Sequence, residues 1–256
     1  MPDDLPYGIL EQPNERRTLV ATVDGTVYAR HPVRTHLVTS NDEIGDVATR
    51  YATPLGPDVA LVAVGERMVA TTQGRSYPIT EIHPGPLARF LWRYVTQPGY
   101  GIGLGSPWTM QLAIQEVGAP RILLAAAVSA ITRPFGIHGL FYRVAGRQAS
   151  AIDGAADYVI PPYNTEATLG PKDPDGVARR LSAALGVPVA IIDANDAGCA
   201  TLGTSAGVDR RWVDRLFTDN PLGQSTEQTP ICVVRRVDWP TDQPLPPEPR
   251  RRLTAP

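Results

Sequence analysis

The sequence predicts an α+β fold, and three stretches carry that reading. Val59 to Val64 and Val187 to Ile192 are short, apolar and rich in β-branched residues, the pattern of central strands. Ile231 to Val237 (ICVVRRV) repeats the pattern near the end of the chain. Ahead of Val187 a helix is written with both of its ends. Asp173 suits the N-cap, Pro174 the first turn, and Asp175 the positive end of the helix dipole. Val177, Leu181 and Leu185 then fall on one face while Arg179 and Arg180 point away, and Gly186 followed by Pro188 stops the helix.

The remaining elements follow in order. Residues 1–17 are polar and punctuated by proline, a lead-in ahead of a body spanning 18–237. Thr18 to Val23 reads as a strand closed by a turn at Asp24-Gly25, and Thr35 to Val38 as a second. Asn41 is placed to cap a helix whose inner face is Ile44, Val47, Ala48 and Tyr51. Gly74-Arg75 marks a turn, and Leu87, Phe90, Leu91 and Tyr94 form the expected inner stripe of a short helix. Gly99, Gly101, Gly103 and Gly105 run into Ser106-Pro107, an N-cap and first-turn proline. This segment reads either as a phosphate cradle or as a hinge between two lobes near 96–106. Arg121 to Ile131 is helix or strand, which periodicity alone does not decide, and Leu140 to Ala145 reads as a strand. Trp212, Val213, Leu216 and Phe217 share a helix face ended by Asn220-Pro221. Residues 238–256 are rich in proline, a disordered or surface-draped tail.

Composition narrows the function. A chain of 256 residues buries one large core or two small ones. A formal net charge of −2 argues against a dedicated nucleic-acid binder, which carries a strongly basic face. Two cysteines, Cys199 and Cys232, make neither a disulfide framework nor a cysteine zinc site. The opening MPDDLPYGIL lacks the basic-then-apolar pattern of a signal peptide, and the longest apolar run, Ile122 to Ile131, is too short to span a bilayer. The expectation is a soluble, cytoplasmic protein with neither a nucleic-acid nor a membrane partner.

Four carboxylates stand out: Asp153, Asp193, Asp196 and, less strongly, Glu166. Carboxylate oxygens are the hard donors that bind Mg²⁺ or Mn²⁺ when two or more converge, often sharing the ion with a nucleotide phosphate. The competing reading, which the commonness of Asp in turns favours, is that Asp153 starts a turn and Asp193 caps or hydrogen-bonds a loop. Arg133, Arg143 and Arg147 crowd the stretch before Asp153 and suit phosphate or carboxylate. The four histidines show no metal-ligand spacing, although His138 lies in a glycine-flanked loop near Arg133, and no nucleophile elbow is present.

The order of several motifs resembles the coenzyme F-420 gamma-glutamyl ligase family. The similarity begins at ALVAVGERMVATTQGR (Ala60 to Arg75) and resumes at Ala151-Ile152-Asp153-Gly154. It continues through GPKDPDGVARRL and VAIIDAND, and ends in NPLGQSTEQTPICVVRRV (Asn220 to Val237). The resemblance implies a ligase-like fold with a central mixed sheet and flanking helices, a homodimer, and a divalent metal held by Asp153 and Asp193, with Asp196 a further ligand. It implies GTP, or ATP, as co-substrate, with Gly223 and Gln224 at the site; Arg75, Arg133 and Arg143 are the candidate contacts for phosphate or an anionic substrate. The implied reaction joins a small-molecule carboxylate to an amine through an acyl phosphate. Departures accompany the similarity. Gly154-Ala155-Ala156 replaces the family's Ser-Asn, Ala194 replaces a Thr, and Glu66-Arg67 stands where Ser-Lys is usual. The chain between Asp193 and Gly223 is also shorter than the family's, so the expected acceptor is one other than the deazaflavin coenzyme. The alternative is a non-catalytic nucleotide- or metabolite-binding paralogue acting as sensor or scaffold.

Overall fold

The computed structural model describes residues 6–95, 103–137 and 139–251, with Arg147 described by its backbone alone. The chain divides into two units, Met1–Gln73 with Pro171–Pro256, and Gly74–Gly170. The first is called the sheet unit and the second the helical unit.

In chain order the sheet unit opens with β1 (Gly8–Ile9), β2 (Val20–Val23), β3 (Thr26–Arg34), α1 (Ile44–Ala52), β4 (Val59–Gly65) and α2 (Glu66–Thr72). The helical unit supplies β5 (Ser76–Pro78), α3 (Pro86–Leu91), α4 (Pro107–Val117), α5 (Ala119–Thr132), α6 (Leu140–Ala145), α7 (Arg147–Ser150) and β6 (Glu166–Thr168). The sheet unit then resumes with α8 (Pro174–Leu185), β7 (Val189–Asn195), β8 (Gly198–Thr204), α9 (Arg210–Leu216) and β9 (Ile231–Arg236).

Among the described residues, seven strands form one mixed sheet in the order β1-β3-β9-β4-β7-β8, with β2 paired to β3. β4 and β7 run parallel, Val62 opposite Val189, and β9 is antiparallel to both β4 and β3. The alternation of side chains explains why these strands read as continuous apolar runs. Val62 and Val64, Val189 and Ile191, and Ile231 and Val233 face α1, α2 and α8. Leu61 and Ala63, Ala190 and Ile192, and Cys232 and Val234 face Val213, Leu216 and Phe217 beside α9. Helix α8 starts as its sequence requires, with Asp173 accepting from the Gly176 N–H, and Gly186 follows it in the left-handed region. Its first turn packs so closely on β8 that any side chain at Gly203 would meet the Pro174 backbone at 2.2 Å. Asp175 fixes that contact by accepting from the Thr204 N–H (2.8 Å) and from Arg210 (2.6 Å).

The helical unit is α3 to α7 around Ile82, Leu91, Leu104, Met110, Leu112, Ile122, Phe141 and Ile152, with β5 and β6 as a two-stranded antiparallel sheet.

Several expectations are corrected. Leu140–Ala145 is a helix: Phe141 and Ala145, four residues apart, both enter the core, and Gly139 and Gly146 at its ends adopt positive φ. Arg121 to Ile131 is helix throughout. The strand expected at Thr35 to Val38 lies earlier, at Thr26–Arg34, and the cap of α1 is Glu43, which accepts from the Gly45 and Asp46 N–H groups. Phe90 and Tyr94 point outward rather than in. Residues 8–17 are part of the fold: Gly8 and Ile9 pair with β3, and Asn14 is buried. Beyond β9 the proline-rich segment lies along β2, the Pro246 and Pro247 carbonyls accepting from Thr22 Oγ1 (2.6 Å) and N–H (3.3 Å).

Candidate functional site

The buried part of β7 ends at Ile192, and Asp193 to Asn195 continue it as a half-buried arm. The apolar run that predicts the strand stops at Ile192, short of these residues. Asp193 nonetheless pairs with Ala200 across the β7–β8 hairpin, and Asn195 with Gly198, which leaves Asp196-Ala197 as the turn. Two residues apart on a strand, Asp193 and Asn195 share a face. Asn195 donates its amide to Asp193 Oδ1 (3.3 Å) and accepts the Ala197 N–H on its own oxygen (2.9 Å). One side chain therefore closes the turn and steers a carboxylate.

The loop after α9 meets this turn. Its entry is anchored by Arg30, a fully buried guanidinium on β3, which donates to Asp219 Oδ1 (2.5 Å), Asp219 Oδ2 (3.0 Å) and the Leu216 carbonyl (2.8 Å). Its exit is clamped by Asn14, whose amide reaches the Pro221 and Leu222 carbonyls and Thr229 Oγ1 within 3.0 Å. Between these anchors Gly223 takes φ +83°, and a Cβ there would meet the Glu227 side chain at 2.4 Å. Gln224 is thereby presented to the hairpin, and its Oε1 accepts the Asp196 N–H at 2.9 Å. Arg17 completes the join, donating through Nη1 to Asp196 Oδ1 (2.7 Å) and to the Asp219 carbonyl (3.2 Å). Asp193, Asp196, Gly223 and Gln224, all singled out from sequence, thus belong to one assembly in the sheet unit.

The local electrostatics are acidic. Burial pushes the Cys199 thiol far up, and the negative charges of Asp214 and Asp193 push it further, so it is no nucleophile at neutral pH. Cys232, wholly buried, is pushed up to about 12 chiefly by burial.

The other sequence-predicted residues lie in the helical unit. Asp153 extends the small sheet by exchanging both backbone hydrogen bonds with Thr168 at 2.9 Å, its side chain exposed. Glu166 pairs opposite Pro78 on β5. Arg75 is buried, donating to the Gly170 carbonyl (2.7 Å) and to Glu116 (2.6 Å), so its guanidinium braces the unit. Arg133 and Arg143 are exposed, Arg133 reaching the Tyr94 carbonyl at 3.4 Å. Ser106 caps α4 through a reciprocal capping box with Thr109. His138, Gly99 and Gly101 lie outside the described residues. Among the described residues, no three His, Cys, Asp or Glu side chains group within either unit as a preformed metal centre.

Sequence reasoning missed Arg17, Asn14, Arg30 and Asp219. The available signal was Arg30 inside TVYARHPVR, a charged residue in a β-rich run, which needs a buried partner. No protein-family model matches the chain, and none of the curated proteins compared with it is significantly similar.

Proposed function

We propose that the chain is a nucleotide- and divalent-metal-dependent carboxylate–amine ligase of the γ-glutamyl type, with a fold resembling that of the coenzyme F-420 gamma-glutamyl ligases. The observation that supports this most is the 2.9 Å hydrogen bond between Gln224 and the Asp196 backbone. The hairpin turn and the glycine loop were each picked out by the resemblance, 28 residues apart, and here they meet.

In this reading Asp193 is the residue on which metal binding rests. Its carboxylate at the end of a strand is the hard donor that Mg²⁺ or Mn²⁺ takes, and Asn195 holds one of its oxygens in place. Asp153, in the helical unit, is carried over by the resemblance alone. Bound, the ion supplies charge neutralisation for the transferring phosphoryl group of GTP or ATP. Arg17 and Gln224 fix the turn that carries Asp196, and exposed Arg133 and Arg143 are available to anionic groups. The reading also carries a homodimer.

Two observations favour the non-catalytic alternative. Ala194, where the family has a hydroxyl, packs its methyl group against the apolar cluster beside α9, and Asp196 already engages Arg17.

Thermal unfolding with GTP or ATP, each with and without Mg²⁺ or Mn²⁺, tests the proposal. A nucleotide at a hundred times its Kd stabilises the protein by about 2.7 kcal/mol. Asp193→Asn should remove the metal-dependent part of that shift and leave the ligand-free midpoint unchanged. Nucleotide binding without phosphate release across carboxylate and amine mixtures would favour the sensor, and no shift with any nucleotide would sink the ligase and leave only the metabolite-binding form of the alternative.

A further inference from the structure

The helical unit carries an apolar face that its own core leaves uncovered. Of α5 only Ile122 and Ala125 are buried, while Leu123, Leu124 and Ile131 are 47 %, 58 % and 68 % exposed. The turn after α5 continues the face with Phe135 and Ile137, 78 % and 50 % exposed. Phe90 and Tyr94, also exposed, pack ring to ring at 5.2 Å and join the same end, because Arg133 reaches the Tyr94 carbonyl. Helix α4 bends away from α5 by 118° and buries Met110, Leu112 and Ala113, so the uncovered surface belongs to α5 and its following turn. Among the described residues no single helix is long and apolar enough to cross a membrane. Large apolar side chains gathered in the open on one helix and its following turn mark an interaction site.

Charge identifies the occupant. The helical unit holds Arg75, Arg89, Arg93, Arg121, Arg133, Arg143 and Arg147 against Glu81, Glu116, Asp153, Asp157 and Glu166, a surplus of positive charge in a protein whose formal net charge is −2. Glu116 is ion-paired with Arg75. The arginines sit where the apolar residues are. Arg89 and Arg93 flank Phe90, Arg121 opens α5, and Arg133 closes it, all four exposed. A second copy of the chain seated on this face would bring its own exposed arginines to the same rim, a gathering of like charge that costs affinity. A nucleic acid would meet the charge, and Phe90, Tyr94 and Phe135 offer its bases stacking, but the aliphatic Leu123, Leu124 and Ile131 of α5 offer neither stacking nor hydrogen bonds.

We propose that this face docks on an anionic membrane surface. Leu123, Leu124, Ile131 and Phe135 enter the boundary between headgroups and acyl chains, and the surrounding arginines meet the lipid phosphates. The expectation of no membrane partner was drawn from the absence of a spanning run. A peripheral face needs no such run.

Co-sedimentation of the full chain with vesicles of phosphatidylcholine, alone or mixed with phosphatidylglycerol, tests the inference. The protein should sediment with the anionic vesicles only and be released by high salt. Ile131→Asp combined with Phe135→Asp should abolish sedimentation, with far-UV circular dichroism and unfolding midpoint unchanged. Leu124→Ser repeats the test should the double variant lose helix. Each of Arg89→Ser and Arg93→Ser should weaken partitioning by about fivefold. Failure to sediment with anionic vesicles overturns the proposal. So does a dimer that the double variant converts to monomer while vesicle binding is absent, and so does salt-sensitive binding to RNA without binding to vesicles.

Discussion

In the sheet unit Leu61, Val62 and Val64 of β4 and Val189, Ile191 and Ile192 of β7 are covered on both faces. In the helical unit Leu123, Leu124, Ile131 and Phe135 stand in the open. The polar groups differ in the same sense. Arg17, Arg30, Asp196, Asp219 and Gln224 of the sheet unit are joined by hydrogen bonds, whereas Arg89, Arg93, Arg133 and Arg143 of the helical unit are exposed. A turn tied on both sides by hydrogen bonds can hold a strand-end carboxylate in a fixed place. Apolar and cationic side chains left exposed on one helix and its following turn offer a surface. The contrast is what separates the ligase proposal, which rests on the first, from the docking proposal, which rests on the second.

The comparison breaks most sharply at Arg30. Removing its partner with Asp219→Ala leaves a guanidinium with no solvent exposure and no counter-charge, and breaking such a pair costs about 3–5 kcal/mol. Denaturant unfolding should record that loss, and the loop bearing Gly223 and Gln224 should lose hydrogen-exchange protection with it. A loss below about 1 kcal/mol would mean that the network is ornamental and that the sheet unit is no better braced than its neighbour.

The same substitution in each unit sharpens the contrast. Leu181→Ala on α8 opens a cavity in the main core and should cost about 2–5 kcal/mol. Leu124→Ala on α5 touches a side chain 58 % exposed and should change stability by no more than about 0.5 kcal/mol in the isolated protein. Comparable costs at the two positions would show that α5 is covered in solution.

The difference between the units also governs what was legible in the sequence. β4, β7 and β9 were readable because burial on both faces makes them continuous apolar runs, and α8 because its caps are local signals. β3 was missed since its Arg30 and Pro32 interrupt the run; their tolerance depends on Asp219 and on pairing with β9, neither local. Leu140–Ala145 misread as a strand because a six-residue apolar run carries no period long enough to decide. At the site, Asp193 and Asp196 were visible as acids after a strand. Arg17 and Asn14 were not, since nothing in a polar, proline-broken lead-in announces contacts with residues 196, 219 and 229.

A small effect that depends on pH is expected in the loop before α1, another polar closure of the sheet unit. The Asp42 carboxylate accepts the Thr39 N–H (2.7 Å) and lies 2.9 Å from His36 Nε2, whose other ring nitrogen meets Tyr51 Oη at 2.9 Å. The Thr39 backbone hydrogen bond foremost, with His36 and the Thr39 hydroxyl, holds Asp42 below the usual carboxylate range, against a smaller opposing effect of burial. A carboxylate whose pKa is lowered by folding adds stability above its unfolded pKa, and that contribution is lost as pH falls through the folded value. Asp42→Asn should therefore cost at most about 1 kcal/mol above roughly pH 5, since the carboxylate is partly solvated. The gap between variant and parent should shrink below about pH 4 and close once the pH has fallen through the folded value, where the parent's carboxyl is itself neutral. Unfolding midpoints measured across that range decide it. A gap that persists unchanged into acid would mean that Asp42 acts through shape rather than charge. The closure of this loop would then owe nothing to ionisation, unlike the Arg30–Asp219 anchor on the same sheet.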